Sequence, residues 1–143
     1  MLIAEDNSDD LELTRVALRR AKVNTPVHFV SDGAQVVAYL KGEAPFSDRS
    51  AFPLPRLLVL DIKMPYLSGF EVLEWLRAHE EYSFLPTTML SSSRLESDIE
   101  KAYALGANAY VTKPGQFNEL VAVLQKLYGF WRMCEVPRVP RSL

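Results

Sequence analysis

Acidic, hydroxyl and basic side chains stand directly after short apolar segments at four separate places in the sequence. The acidic pair Glu5-Asp6 follows the first segment, and Asp61 follows an uninterrupted aliphatic run. Ser91 and Lys113 follow two further segments in the same way. Three carboxylates brought together repel one another, so a hard cation such as Mg²⁺ would stabilise them. A lysine ammonium and a serine hydroxyl can bind the oxygens of a phosphoryl group carried on a carboxylate.

The segments that carry these residues predict a parallel α/β sheet. The aliphatic run at 57–60 is typical of a strand that is buried on both faces. Four other short apolar runs alternate with segments of helical spacing, and glycine, proline and asparagine mark the connections. Five strands that alternate with five helices specify a sheet covered on both faces, with all strand carboxyl ends at one edge. We therefore expect the acidic, hydroxyl and basic residues to converge there.

The predicted elements have approximate bounds. The strands are expected at 1–4, 27–30, 57–60, 87–90 and 109–112, and the last helix at 117–127. The connection at 41–55 is longer than usual and is interpreted as a partner surface or a tolerated insertion. We predict a single domain at 1–128, followed by a C-terminal tail at 129–143 that contacts a second copy or a partner.

Composition and charge argue against several classes of protein. A chain of 143 residues with 48% apolar and 24% charged residues is typical of one globular domain. The formal net charge of −2 provides no basic field for nucleic acid. No apolar run approaches the ~20 residues of a membrane span. The single cysteine, Cys134, cannot form an internal disulfide, which agrees with a cytoplasmic location.

The order and spacing of these residues resemble the receiver domain of two-component response regulators. The matching residues are Glu5-Asp6, Asp61 with Met64-Pro65 and Gly69, Ser91, and Lys113-Pro114. The resemblance covers about 1–127. It implies a flavodoxin-like (CheY-like) fold, in which a doubly wound five-stranded parallel sheet has the strand order 2-1-3-4-5 and carries five helices. It also implies a signalling role without enzymatic activity beyond the domain's own phosphorylation and dephosphorylation.

The same resemblance implies a phosphoacceptor and its metal. A histidine kinase or a phosphotransfer protein would transfer a phosphoryl group to Asp61 in the presence of Mg²⁺. The metal would be bound by Glu5, Asp6, Asp61 and the backbone carbonyl of Lys63.

Further residues take their expected roles from the resemblance. Ser91 and Lys113 would bind the acyl phosphate. Tyr110 matches the aromatic switch, whose ring turns inward when the hydroxyl residue moves towards the phosphate. The Lys113–Pro114 peptide is expected to be cis, as is usual in the family.

Two features resemble, more narrowly, the small single-domain regulators that partner phytochrome-type histidine kinases. They are the long connection at 41–55 and the aromatic ending at 128–131. Large aromatics after a completed fold either cap the core or bury themselves in a partner. We therefore hypothesise a twofold homodimer through the fourth helix, the fifth strand, the fifth helix and the tail. The apolar side chains on that side are Tyr103, Tyr110, Leu120, Val123, Leu127 and Phe130.

Three alternative functions fit the residues less well. A Mg²⁺-dependent aspartyl phosphohydrolase would use Asp61 as its nucleophile, but such enzymes usually carry a general-acid aspartate at the position of Lys63. A flavin-binding module would need a Ser/Thr/Gly-rich phosphate loop after the first strand, where this chain has the acidic segment 5–10. A receiver that only binds, without phosphorylation, is disfavoured because the set of site residues is complete.

Overall fold

Five short parallel strands form the centre of the computed structural model, which describes residues 1–138. The strands are β1 (Leu2–Ala4), β2 (His28–Val30), β3 (Leu58–Leu60), β4 (Thr87–Ser91) and β5 (Ala109–Thr112). All neighbouring strands pair in parallel, in the order β2-β1-β3-β4-β5. The flavodoxin-like sheet expected from the sequence is therefore confirmed.

Five helices follow the strands and cover both faces of the sheet. They are α1 (Ser8–Arg20), α2 (Gly33–Lys41), α3 (Gly69–Ala78), α4 (Glu96–Ala104) and α5 (Phe117–Met133). A 3₁₀ turn at Glu80–Tyr82 separates α3 from β4. Among residues 1–138, no helix has the length and apolar character needed to cross a membrane.

The strands divide their side chains between two cores, because successive residues of a strand point to opposite faces. In β3, Leu58 and Leu60 join the core under α2, α3 and α4, whereas Val59 joins the core under α1 and α5. All three are essentially inaccessible to solvent, with at most 1% exposed. A strand buried in this way on both faces fixes the position of the residue that follows it.

Three helices are capped by a side chain just after a strand carboxyl end or in the connection that follows it. Asn7 accepts a hydrogen bond from the first turn of α1, and Asp32 does the same for α2. Ser68 forms a capping box with Glu71 at the start of α3. These caps set the starts of the helices close to the sheet edge where the candidate site lies.

The last helix is longer than predicted. The sequence places its end near Leu127, but α5 continues to Met133, so the predicted boundary at 128 falls inside the helix. Gly129 does not stop the helix, because Leu127 and Trp131 on either side of it pack against the core under α1. Of the predicted tail, residues 129–133 are helical, and residues 139–143 lie outside the described part of the chain.

The long connection between α2 and β3 is packed onto the domain. Phe46 and Phe52 lie against the buried ring of Tyr39, with ring centroids 5.2 and 5.9 Å away. The Arg49 guanidinium donates hydrogen bonds to the carbonyls of Tyr39 and Leu40, at 2.7 and 2.6 Å. These carbonyls belong to the last turn of α2, where the regular hydrogen bonds of the helix end, and Arg49 adds to the bonds from Gly42 and Tyr82. The connection thus extends the core and caps a helix.

Candidate functional site

The sheet brings the predicted site residues to one edge. Glu5 and Asp61 each follow the last residues of paired strands, because Ala4 of β1 is in register with Leu60 of β3. Lys113 follows β5, and its backbone N–H donates to the carbonyl of Ser91, the last residue of β4, at 2.8 Å. Side chains more than 100 residues apart in sequence therefore meet.

Lys113 lies between two buried carboxylates. Its Nζ is 2.5 Å from Oε2 of Glu5 and 2.8 Å from Oδ2 of Asp61. The second oxygen of each carboxylate accepts a backbone N–H: Asn7 donates to Glu5 at 3.0 Å, and Ile62 donates to Asp61 at 2.7 Å. Glu5 and Asp61 are only 5% and 8% exposed. Buried charges need this kind of pairing, and here it fixes the orientation of both carboxylates.

Burial and pairing shift the pKa values of this group. Burial raises the pKa of Glu5 above its ordinary value, although the hydrogen bond from Lys113 opposes the change. Burial also disfavours the charged form of Lys113, but the hydrogen bonds and negative charges of Asp61 and Glu5 outweigh it and raise the pKa of the ammonium. Lys113 therefore remains a cation at neutral pH.

Three carboxylates at this edge form a ligand set that fits a divalent cation. One oxygen each from Glu5, Asp6 and Asp61 can be chosen so that all three lie within 4.8 Å of one another. Oxygens that share an octahedral Mg²⁺ at about 2.1 Å lie roughly 3 to 4.2 Å apart, so a small adjustment brings them to the metal. Asp6 is exposed, whereas the other two are buried, so the cluster opens to solvent on one side.

Lys63 is exposed in the connection between β3 and α3. The role of its carbonyl as a metal ligand stays a prediction. The same connection folds tightly back on the site, because the N–H of Gly69 donates to the carbonyl of Ile62 at 2.8 Å. A Cβ atom at Gly69 would lie only 2.1 Å from the carbonyl oxygen of Asp61. A side chain here would displace the backbone that carries the aspartate.

Ser91 and Tyr110 are linked through Ser93. Ser91 is 3% exposed, and its hydroxyl accepts the N–H of Ser93 at 3.2 Å. The Tyr110 hydroxyl donates to the carbonyl of Ser93 at 2.8 Å, and its ring packs partly buried against the core. The connection after β4 thus holds the aromatic ring in place.

The expectation of a cis Lys113–Pro114 peptide is wrong. In the described chain the cis peptide is Ala44–Pro45. The direction of Lys113 is set instead by its backbone hydrogen bond to Ser91 and by the carboxylates of Glu5 and Asp61. These contacts suffice to aim the ammonium at the site.

The sequence did not single out two residues that the structure places at the site. Asp10 lies in the first turn of α1 with Oδ2 3.4 Å from Nζ of Lys113. Ser93 connects Ser91 to Tyr110. The cap at Asn7 was a usable signal for the first, since it places Asp10 in the first turn of the helix that begins beside the acidic pair. No sequence feature distinguishes Ser93, which is the last of three consecutive serines at 91–93.

The fold and the site together define a class of signalling protein, in which an aspartate at the edge of a parallel sheet is surrounded by acids and a lysine. The sequence model of the response regulator receiver domain matches residues 1–125, so the chain belongs to that family. Receiver domains accept a phosphoryl group on an aspartate with the help of a metal ion.

Comparison with individual proteins gives the same family, because the similar proteins are response regulators. The chain is 27% identical over 131 residues to the response regulator Rcp1 of Synechocystis sp., covering 92% of this chain and 87% of that protein. It superposes on a response regulator in red-light signalling of R. palustris with a TM-score of 0.90 and 35% identity. The phosphorylated cyanobacterial phytochrome response regulator RcpA gives a TM-score of 0.85 and 31% identity. Both structural matches cover 95% of this chain and 96% of the other.

Proposed function

We propose that Asp61 is the phosphoacceptor of this receiver and that Mg²⁺ is its metal. The observation that carries the proposal is the position of Lys113, whose ammonium lies 2.8 Å from an Asp61 oxygen. A fixed cation at that distance can neutralise a phosphoryl group that Asp61 receives. The Mg²⁺ ligands are Glu5, Asp6, Asp61 and the carbonyl of Lys63. The hard oxygen set of the three carboxylates supports this choice of metal.

Phosphoryl transfer needs an activated donor and a positioned acceptor. A carboxylate oxygen of Asp61 attacks the phosphorus of a phosphohistidine, and the new P–O bond forms as the P–N bond breaks. The electron pair of the broken bond stays on the imidazole of the donor. Lys113 and the hydroxyl of Ser91 bind the phosphoryl oxygens, and a Mg²⁺ ion held by Glu5, Asp6 and Asp61 would neutralise further negative charge. The backbone N–H of Ile62 holds the carboxylate in orientation throughout.

The transferred charge then changes a protein surface. Movement of the Ser91 hydroxyl towards the phosphoryl group lengthens the hydrogen bond that it accepts from the N–H of Ser93, which is 3.2 Å long in this structure. Ser93 also accepts the hydroxyl of Tyr110, so displacement of the connection releases or redirects the aromatic ring. The result is an altered surface at α4 and β5, which other proteins can recognise.

We propose a phytochrome-type histidine kinase as the phosphoryl donor, directly or through a phosphotransfer protein. Support comes from relatives that are named for phytochrome or red-light signalling and that are 31% and 35% identical. The domain itself acts as a switch and not as a phosphohydrolase, because Lys63 stands where such enzymes carry an acid. The net charge of −2 favours protein partners over nucleic acid, and the lone Cys134 agrees with the cytoplasm. We expect no membrane partner.

We also propose a homodimer through α4, β5, α5 and the segment after it. Large apolar side chains on α4 and α5 are exposed, with Tyr103 at 50%, Phe130 at 60% and Met133 at 80%. Exposed apolar patches of this kind usually mark contacts between proteins. The extension of α5 to Met133 gives this surface additional length.

Acetyl phosphate, a small-molecule phosphoryl donor, added with Mg²⁺ tests the phosphoacceptor. Intact-mass spectrometry should detect one phosphoryl adduct on the wild-type chain, and none on Asp61→Asn, because the amide is not a nucleophile for phosphorus. Asp98→Asn, which changes an acid bound to Ser93 and not to Lys113, should still form the adduct. An adduct of equal yield on Asp61→Asn would overturn the proposal.

A further inference from the structure

Asp10 is held rigidly above Lys113 by its own helix. It is the third residue of α1, and its N–H donates to Oδ1 of Asn7 at 2.9 Å. Its carbonyl accepts the hydroxyl of Thr14 at 2.8 Å. The carboxylate lies 3.4 Å from Nζ of Lys113, with 45% of the side chain exposed to solvent. The backbone of Asp10 is therefore fixed while its carboxylate remains free to follow the lysine.

Asp10 differs from the other two acidic partners of Lys113 in what phosphorylation would do to it. In the part of the chain that the structure describes, the lysine is paired with Glu5, Asp61 and Asp10. Under the proposed function, Glu5 turns to the metal and Asp61 carries the phosphoryl group. Asp10 neither binds the metal nor carries the phosphoryl group. Of the three acids, it alone remains a free carboxylate that can pair with Lys113 in the phosphorylated state.

We propose that Asp10 is a positioning residue that competes with the phosphoryl group for Lys113 and so weakens the hold of the site on phosphoryl oxygens. This inference rests on the proposed function. Two effects act in the same direction: Asp10 attracts the ammonium towards α1, and its negative charge repels the incoming anion. A half-exposed pair is screened by solvent, so the effect is a change of a few fold and not an all-or-none one.

The test compares Asp10→Asn with Asp9→Asn, which removes the same charge from the same helical turn. Asp9 is exposed and forms no ion pair with Lys113 within residues 1–138. Beryllofluoride affinity, measured by calorimetry at saturating Mg²⁺, should rise about threefold in Asp10→Asn and stay close to wild type in Asp9→Asn. Asp10→Glu, which keeps the charge, should restore wild-type affinity.

A second readout separates positioning from structural damage. Mg²⁺ alone should bind Asp10→Asn less tightly than wild type, because a negative charge is lost and Lys113 rests more firmly on Glu5 and Asp61. Opposite changes in the affinities for metal and for beryllofluoride are the expected signature, whereas a damaged site loses both. Unchanged or weaker beryllofluoride binding in Asp10→Asn, or an equal gain in Asp9→Asn, would overturn this inference alone. Absence of any adduct on the wild type would overturn the proposed function and this inference with it.

Discussion

Glu5 is a carboxylate that burial and a paired lysine influence in opposite directions. Burial raises its pKa, and the hydrogen bond from Lys113 only partly offsets this. A raised pKa in the folded state means that the group stabilises the fold fully below its ordinary value of 4.5. This contribution is lost as the pH rises through the higher pKa of the folded protein. At neutral pH the ionised Glu5 therefore lowers the unfolding free energy of the metal-free protein most.

This sign leads to a prediction for Glu5→Gln, which cannot ionise. In the presence of a chelator, the unfolding free energy of the wild type minus that of Glu5→Gln should decrease as the pH rises from 4.5 to neutral. Urea denaturation followed by circular dichroism measures both. Glu12→Gln, which removes a carboxylate from an exposed part of α1 outside the ion pairs of Lys113, serves as the matched control. A difference that grows with pH would contradict the raised pKa.

Individual residues of the site were predictable only where a strand end identifies them. Glu5, Asp61 and Lys113 each follow a strand, so the edge of a parallel sheet brings them together without knowledge of side-chain positions. Asp10 stands within the acidic segment 5–10 and does not directly follow a strand. Its contact with Lys113 joins residues 103 positions apart and depends on the exact rotation of α1, which sequence periodicity does not resolve.

The turn between β3 and α3 depends on one glycine. Replacement of Gly69 by alanine would force the Asp61 carbonyl or the start of α3 to move, because the added Cβ lies 2.1 Å from that oxygen. We expect Gly69→Ala to lose about 1–3 kcal/mol of unfolding free energy and to bind beryllofluoride more weakly. Chemical denaturation and calorimetry measure the two effects.

Gly129→Ala is the matched control for that substitution. Gly129 lies inside α5, and nothing stands within 4 Å of the position of its Cβ. Alanine there should stabilise the protein by about 0.5–1 kcal/mol, since glycine is the poorer helix former. If Gly69→Ala were as stable as the wild type, the close approach of the turn to Asp61 would be refuted.

Helix ends were the least predictable elements. The end of α5 was predicted too early: Gly129 stands two positions after Leu127, and glycine is common at the end of a helix. Packing of Trp131 against the core under α1 prolongs the helix past Gly129. The contact forms only after the chain has folded, so local propensity could not reveal it.

The proposed dimer can be tested through two exposed phenylalanines on different sides of the molecule. Phe130 is 60% exposed on α5, and Phe84 is 68% exposed in the connection before β4, outside the proposed interface. Phe130→Glu should shift the protein to the monomer, because a charge in an apolar interface is costly to desolvate. Phe84→Glu should leave the dimer intact.

Sedimentation velocity with and without beryllofluoride provides the measurement for this pair. A wild-type chain that sediments as a monomer at high micromolar concentration in both states would exclude the dimer. Equal dissociation in both variants would instead point to a contact outside α4, β5 and α5.

The order of the strands and helices and the topology of the sheet were accessible from the sequence, because hydrophobic runs, caps and turns agree along most of the described chain. The role of the long connection between α2 and β3 was not. The aromatic residues of this connection follow neither helical nor strand periodicity. Only the folded structure shows that Phe46 and Phe52 pack on Tyr39. Nothing in the sequence distinguishes Arg49 from other loop arginines. Its hydrogen bonds to the carbonyls at the end of α2 are visible only in the folded structure.

The ion pairs of Lys113 have a consequence for how the protein matures. The lysine supplies the site with an internal counter-ion, held within 2.8 Å of both Glu5 and Asp61. Small zinc domains reach their native state only when the metal arrives. This chain can instead fold in a metal-poor environment, because Lys113 already neutralises part of the negative charge of Glu5 and Asp61. Loading and unloading of the cation then act on signalling, and formation of the fold does not require the metal.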